Sequence, residues 1–294
     1  MLGVRQDGYH ELRTLFQTID LKDDVELRLT PRGPVSVACD HPDVPIGESN
    51  LAFRAAREVL AFGRVERGVA IKLVKRIPVA GGLGGGSADA AAVLRGLDHL
   101  LGLGLGRAGL QPLARRLGAD VPFFLFGGTA LGLARGEEVY PLWQQVRADL
   151  VLVDPALPVS TAAVFRRVDE SLTPRENSHT IFRFVSSDLE GASAFSRLTN
   201  ELEQAALTEV PELGQVVRRI REMLLGDGAR MAALSGSGSS FFGLFEDARR
   251  ARRAVSRLQA AGFRARHCRT LTLEQYRRAW SRALGPSRGR GRTR

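Results

Sequence analysis

The chain has 294 residues, of which 44% are apolar and 25% charged, and its formal net charge is +10. That length can bury a core without staples, and the two cysteines, Cys39 and Cys268, are distant and form no C-x-x-C, so a disulfide scaffold is excluded and reduced cytosolic thiols are expected. No apolar run reaches the ~18 residues of a membrane span, and M-L-G-V-R-Q-D-G-Y-H lacks a signal-peptide core, so neither feature is expected.

Residues 9–30 alternate apolar and polar side chains and predict paired strands. Asn50 to Ala61 predicts a helix with Asn50 as its N-cap. Val69 to Val74 predicts a strand, followed by a glycine-rich turn and a small-residue helix from about Ser87 to Leu101. A short helix is expected over Leu110–Leu117, then an apolar stretch from Val121 to Leu133 broken at Gly127 and Gly128. Val151 to Val153 predicts a buried strand ending at Asp154-Pro155. Residues 166–198 are polar and weakly periodic and predict a loop-rich insertion. Helices are expected over Asn200–Ala206, Glu212–Leu225 and Asp247–Ala261, with a last strand near Arg264 to Leu271. The final residues, 285–294, hold no large apolar side chain and predict a disordered basic tail. Helices and strands mix without strict β-α-β alternation, which predicts an α+β fold with a domain boundary near residue 150.

The positive charge is almost all arginine, since Lys22, Lys72 and Lys75 are the only lysines. A basic balance points to an anionic ligand, either nucleic acid or a phosphorylated small molecule, without choosing between them. The segment Pro78-Val79-Ala80-Gly81-Gly82-Leu83-Gly84-Gly85-Gly86-Ser87-Ala88 narrows the choice. Five glycines and a serine between a strand and a helix N-terminus offer unpaired amides to an anion such as a polyphosphate. The same residues could instead serve tight helix–sheet packing. The loop is no Walker A motif, because no G-K-[ST] ends it. Asp120 stands directly before the apolar run V-P-F-F-L-F, where a carboxylate can accept a hydroxyl proton or simply cap a turn. Ser235, Gly236, Ser237 and Gly238 resemble in isolation a flexible linker, but their apolar flanks favour a second small-residue turn suited to a second anionic group. Asp7-Gly8-Tyr9-His10 reads by itself as a hairpin turn, and no zinc pattern joins the other histidines.

As a set these motifs resemble the GHMP kinases, which phosphorylate small-molecule alcohols. P-V-A-G-G-L-G-G-G-S-A-D resembles the family's phosphate loop. D-G-Y-H-E-L, S-N-L-A-F-R-A-A, L-G-A-D-V-P-F-F, N-E-L-E and S-G-S-G-S-S are similar, in order, to the branch acting on a cytidine-diphosphate-linked methylerythritol in isoprenoid precursor synthesis. The resemblance runs from about Leu2 to Leu271. It implies an N-terminal domain like ribosomal protein S5 domain 2 over 1–150 and a ferredoxin-like C-terminal domain over 151–284. It also implies Asp120 as catalytic base, Pro78 to Ala88 on ATP, and Ser235 to Gly238 as the supporting loop. Tyr9, His10 and Phe165 would form the cytidine pocket. ATP and Mg²⁺ are the implied cofactors, with no ligand set for the metal. A small-molecule substrate is implied as partner, with no nucleic acid and no membrane, in a cytoplasmic monomer or weak homodimer. The family pattern opens with a P-A-K-x-N-L strand whose lysine pairs with the aspartate, and only six residues precede Asp7 here. Two readings follow: a start further upstream, or a shortened enzyme of reduced stability and turnover. Another small-molecule kinase of the family, acting on homoserine, mevalonate or a sugar, is the enzymatic alternative, and a basic RNA-binding protein the non-enzymatic one.

Overall fold

A computed structural model describes residues 11–143, 145–171 and 198–285. The first helix starts where a side chain satisfies its first amides. Asn50 Oδ1 accepts the amides of Ala52 at 2.8 Å and Phe53 at 3.3 Å, and α1 (Leu51–Gly63) follows. Next come α2 (Gly85–Leu101), α3 (Gly106–Leu117) and α4 (Val121–Phe126). The second half carries α5 (Thr161–Ser171), α6 (Leu202–Glu209), α7 (Pro211–Gly226), α8 (Ala248–Ala260) and α9 (Leu273–Leu284).

The strands form three sheets. β1 (Thr14–Gln17), β5 (Thr129–Leu133) and β6 (Glu138–Pro141) make an antiparallel sheet in the order β1-β5-β6. β2 (Asp24–Thr30), β3 (Val35–Cys39) and β4 (Gly68–Val74) are ordered β2-β4-β3, with β3 parallel to β4. β7 (Asp149–Asp154), β8 (Met231–Leu234), β9 (Phe241–Phe245) and β10 (Arg264–Arg269) form a fully antiparallel sheet, β10-β7-β9-β8. The mixture is α+β, as the lack of strict alternation predicts, with one β-α-β unit in β3-α1-β4.

Two main cores form. In the first, α1 and α2 meet through small side chains: Ala52, Ala55 and Ala56 face Ala90 and Ala91, all fully buried. Leu94 and Leu97 fill the space beneath, against Ile71 and Leu73 of β4. In the second, Phe241 and Phe245 of β9 pack with Ile220 and Leu224 of α7 and Leu258 of α8. Each fully buried large apolar side chain contributes about 1.5–3 kcal/mol.

Several expectations need correction. β1 and β2 do not pair with each other. The link between them is drawn instead to the end of β10, where Asp20 N donates to Arg269 O at 2.9 Å and Ile19 bridges Thr270. α2 begins two residues earlier than expected, because Gly84 at φ +68 turns the chain directly into the helix. The loop-rich reading of 166–198 fails at its start: α5 continues to Ser171, with Val164 and Val168 buried four residues apart on one face. β3, β6 and α9 have no counterpart among the expected elements. α9 has an arginine-rich surface that hides its periodicity, but Thr272 and Gln275 form a capping box at its start. Residues 172–197 and the basic tail 286–294 lie outside the described residues. Among the described residues, no helix is long and apolar enough to cross a membrane.

Candidate active site

The glycine-rich loop connects β4 to α2. The first bond of α2 runs from Ala88 N to Gly84 O at 2.8 Å, which leaves the amides of Gly85, Gly86 and Ser87 outside the helical ladder. Their N–H groups and the positive end of the helix dipole suit an anion. Two glycines are required by geometry. At Gly82, φ is +70, and a Cβ would stand 2.2 Å from Ser235 O. At Gly84, a Cβ would press on the Phe124 ring at 3.0 Å and come 4.0 Å from Asp120 Oδ2. The loop therefore runs against the second small-residue turn on one side and beside the aspartate on the other. Ala80 also holds a positive φ, at 56, a conformation that costs an alanine about 1–2 kcal/mol.

The second turn interlocks with the first. Ser235 Oγ donates to Gly82 O at 2.9 Å, and Ser240 N donates to Gly81 O at 3.1 Å. Ser237 shares a 2.9 Å hydrogen bond with Thr161 at the start of α5. Asn200 braces the turn from below, donating from Nδ2 to Leu234 O at 3.0 Å and Gly236 O at 2.7 Å. Sequence reasoning assigns Asn200 no role, although N-E-L-E is visible as a motif.

Asp120 precedes α4 at the N-cap position, but its side chain caps no amide there. The turn-capping reading is thus not what this carboxylate does. Phe16 and Phe123 stack beside this region at 4.7 Å, and Phe124 lines the same wall. Desolvation by the cleft walls pushes the Asp120 carboxyl above the usual carboxylate range, although the residue itself is exposed. The side chain still opens on the cleft, so water there moderates the effect. A carboxylate of raised basicity, next to a cradle for phosphates, has the position and chemistry of a general base.

Loop, turn and aspartate all line one cleft of about 1340 Å³, which also runs between β1 and β2 towards α9. Phe165 of α5 lines it as well, on the side of the second turn. Tyr9 and His10 lie outside the described residues. Among the described residues no cluster of three His, Cys, Asp or Glu side chains could hold a metal ion. The donor set here is one of amides and hydroxyls, which fits phosphate oxygens.

The GHMP kinases N terminal domain model matches residues 50–128, and the GHMP kinases C terminal model matches residues 187–264. The chain is 44% identical to the 4-diphosphocytidyl-2-C-methyl-D-erythritol kinase of Geobacter metallireducens, over 87% of this chain and 88% of that one. A crystal structure of 4-(cytidine 5'-diphospho)-2C-methyl-D-erythritol kinase superposes with a TM-score of 0.72 at 38% identity, covering 90% of this chain and 92% of the other. A homoserine kinase from Cytophaga hutchinsonii shares the fold, with a TM-score of 0.70 at 22% identity over 88% and 89% of the two chains.

Proposed function

This chain belongs to the GHMP kinase family, and within it to the 4-diphosphocytidyl-2-C-methyl-D-erythritol kinases, and we propose that it transfers the γ-phosphoryl group of ATP to the 2-hydroxyl of that nucleotide-linked alcohol. The observation that carries the reading is the position of Asp120: its carboxyl lies beside Gly84, where a phosphate loop delivers its cargo. The step belongs to isoprenoid precursor synthesis, and a cytoplasmic enzyme fits it.

Each residue has a defined task. The amides of Gly85, Gly86 and Ser87, with the Ser87 hydroxyl, hold the triphosphate at the start of α2. Ser235 to Gly238 keep that loop in shape from the opposite side, through the hydrogen bond to Gly82. Asp120 removes the proton from the 2-hydroxyl as its oxygen bonds to the γ-phosphorus. The bond between that phosphorus and the bridging oxygen breaks, and ADP leaves with the electron pair. The Phe165 ring takes one face of the cytosine. Stacking of this kind contributes roughly 1–3 kcal/mol per base. Mg²⁺ would accompany ATP and would supply neutralisation of the charge on its phosphates.

Phosphorus NMR of the full chain with ATP, Mg²⁺ and the cytidine-linked alcohol tests this directly. The expected result is ADP together with a new phosphomonoester on the alcohol. Turnover of homoserine or mevalonate in its place would reject the substrate assignment.

A further inference from the structure

Beneath the phosphate loop lies a charged cluster that the chemistry above does not use. Lys75 follows β4 directly, and its ammonium contacts two carboxylates, Asp23 and, at 2.6 Å, Asp89. The side chains of Lys75, Asp23 and Asp89 are only 5%, 2% and 5% exposed. Asp23 lies just before β2, and Asp89 sits on α2 two residues beyond Ser87. The ammonium thus joins three elements at the base of the loop.

The backbone entering the loop is held by the same groups. Asp23 Oδ1 accepts the amides of Arg76 at 2.5 Å and Ile77 at 2.8 Å. Asp40 Oδ1 accepts the amide of Lys75 at 2.9 Å. Three consecutive amides before Pro78 are therefore pinned by carboxylates, while Asp89 pins the chain that leaves. The cradle is close by: a Cβ on Gly85 would stand 3.6 Å from Lys75 Nζ.

Burying charges is a poor route to stability, because desolvation offsets the attraction and apolar packing of equal volume does as well or better. What such a cluster does supply is geometry. Five glycines leave the loop with more backbone freedom than any other composition, and a clamp at its base limits where its amides can point. We propose that the Lys75–Asp23–Asp89 cluster is a positioning device for ATP, clamping both ends of the glycine loop so that the amides of Gly85, Gly86 and Ser87 converge on the phosphates. This rests on the assignment of that loop to ATP. Lys75 is a positioning residue, its ammonium being taken up by the two carboxylates.

Asp89→Asn keeps the shape of the side chain and removes the ion pair, while Lys75→Met removes the ammonium. Steady-state rates are measured with ATP and the cytidine-linked alcohol varied separately, alongside thermal melts. The proposal expects KM for ATP to rise of the order of tenfold in both variants, with KM for the alcohol within about twofold of wild type. A purely structural cluster would lower the melting temperature and the active fraction and leave KM for ATP unchanged. That result in folded Asp89→Asn protein overturns the proposal. If Lys75→Met does not fold, Asp89→Asn decides the question, since it leaves one ammonium facing one carboxylate. Failure of the ATP assignment itself would appear separately, as wild-type protein that neither binds nor turns over ATP.

Discussion

In the proposed reaction Asp120 carries the most chemistry on the fewest contacts. Its side chain caps nothing in α4, and partial desolvation at the cleft wall raises its carboxyl above the ordinary range. Replacing it with Asn should lower kcat/KM by roughly 10²–10⁴, the usual worth of a positioned proton acceptor. The melting temperature at neutral pH should stay level or rise, because a partly desolvated charge is removed. The base works only when ionised, so wild-type kcat/KM should climb with pH through an inflection above ordinary carboxylate values, and Asp120→Asn should lose that limb. A variant that keeps the limb would assign the proton transfer elsewhere. Asp89 titrates for a structural reason. Burial pushes its carboxyl up to about 6, against the pull of Lys75, an ammonium it must share with Asp23. Burial works against the Lys75 charge, but the two carboxylates outweigh it and hold the ammonium protonated. The folded chain therefore binds the Asp89 proton more tightly than the unfolded chain. Below 3.8 both states keep it, and above about 6 the folded state bears the full cost of ionisation. Stability from this group thus falls as pH rises between those values. Urea midpoints measured across that window should show the slope in wild type and not in Asp89→Asn; parallel curves would contradict the shift.

Among the elements, the two small-residue turns matter most, and they act as one unit. Gly82 and Ser235 lie so close that any side chain at 82 must displace the second turn. Gly82→Ala should therefore raise KM for ATP by tenfold or more while both main cores stay intact, since misplacing reacting groups by about 1 Å can cost 10²-fold. Kinetics paired with a thermal melt check this: unchanged KM would mean that the loops are not coupled. Strong local signals make several elements legible in the amino-acid sequence itself. Asn50 announces α1, the small-residue run after Ser87 announces α2, and Asp247 announces α8, whose first turn it caps through Arg249 N at 2.7 Å. α9 is not legible in the same way, because its arginines mask the seam that faces the protein. Its anchors are long-range: Tyr276 donates to Phe124 O at 2.6 Å, and the Arg95 guanidinium lies 4.1 Å from the centre of the Trp280 ring.

Across the whole molecule, what the sequence does not show is partnership. β1 pairs with β5 and β7 with β10, over separations of more than a hundred residues, and nothing local encodes such choices. The alternation in residues 9–30 correctly marks strands and misleads about their neighbours. The candidate site follows the same rule. Glycine loop, aspartate and serine-rich turn are each legible as motifs with an open alternative, and their convergence on one cleft is a property of the fold. Lys75 and Asp23 are invisible as a pair because they lie 52 residues apart and belong to no local pattern. The account depends on a triphosphate occupying the space between the Gly84 turn and Asp120. A crystal of the full chain with a non-hydrolysable ATP analogue tests that most directly. The account predicts phosphate oxygens within hydrogen-bond reach of the amides of Gly85 to Ser87, with the terminal phosphate turned towards Asp120. An analogue bound elsewhere, with that turn empty, would contradict it.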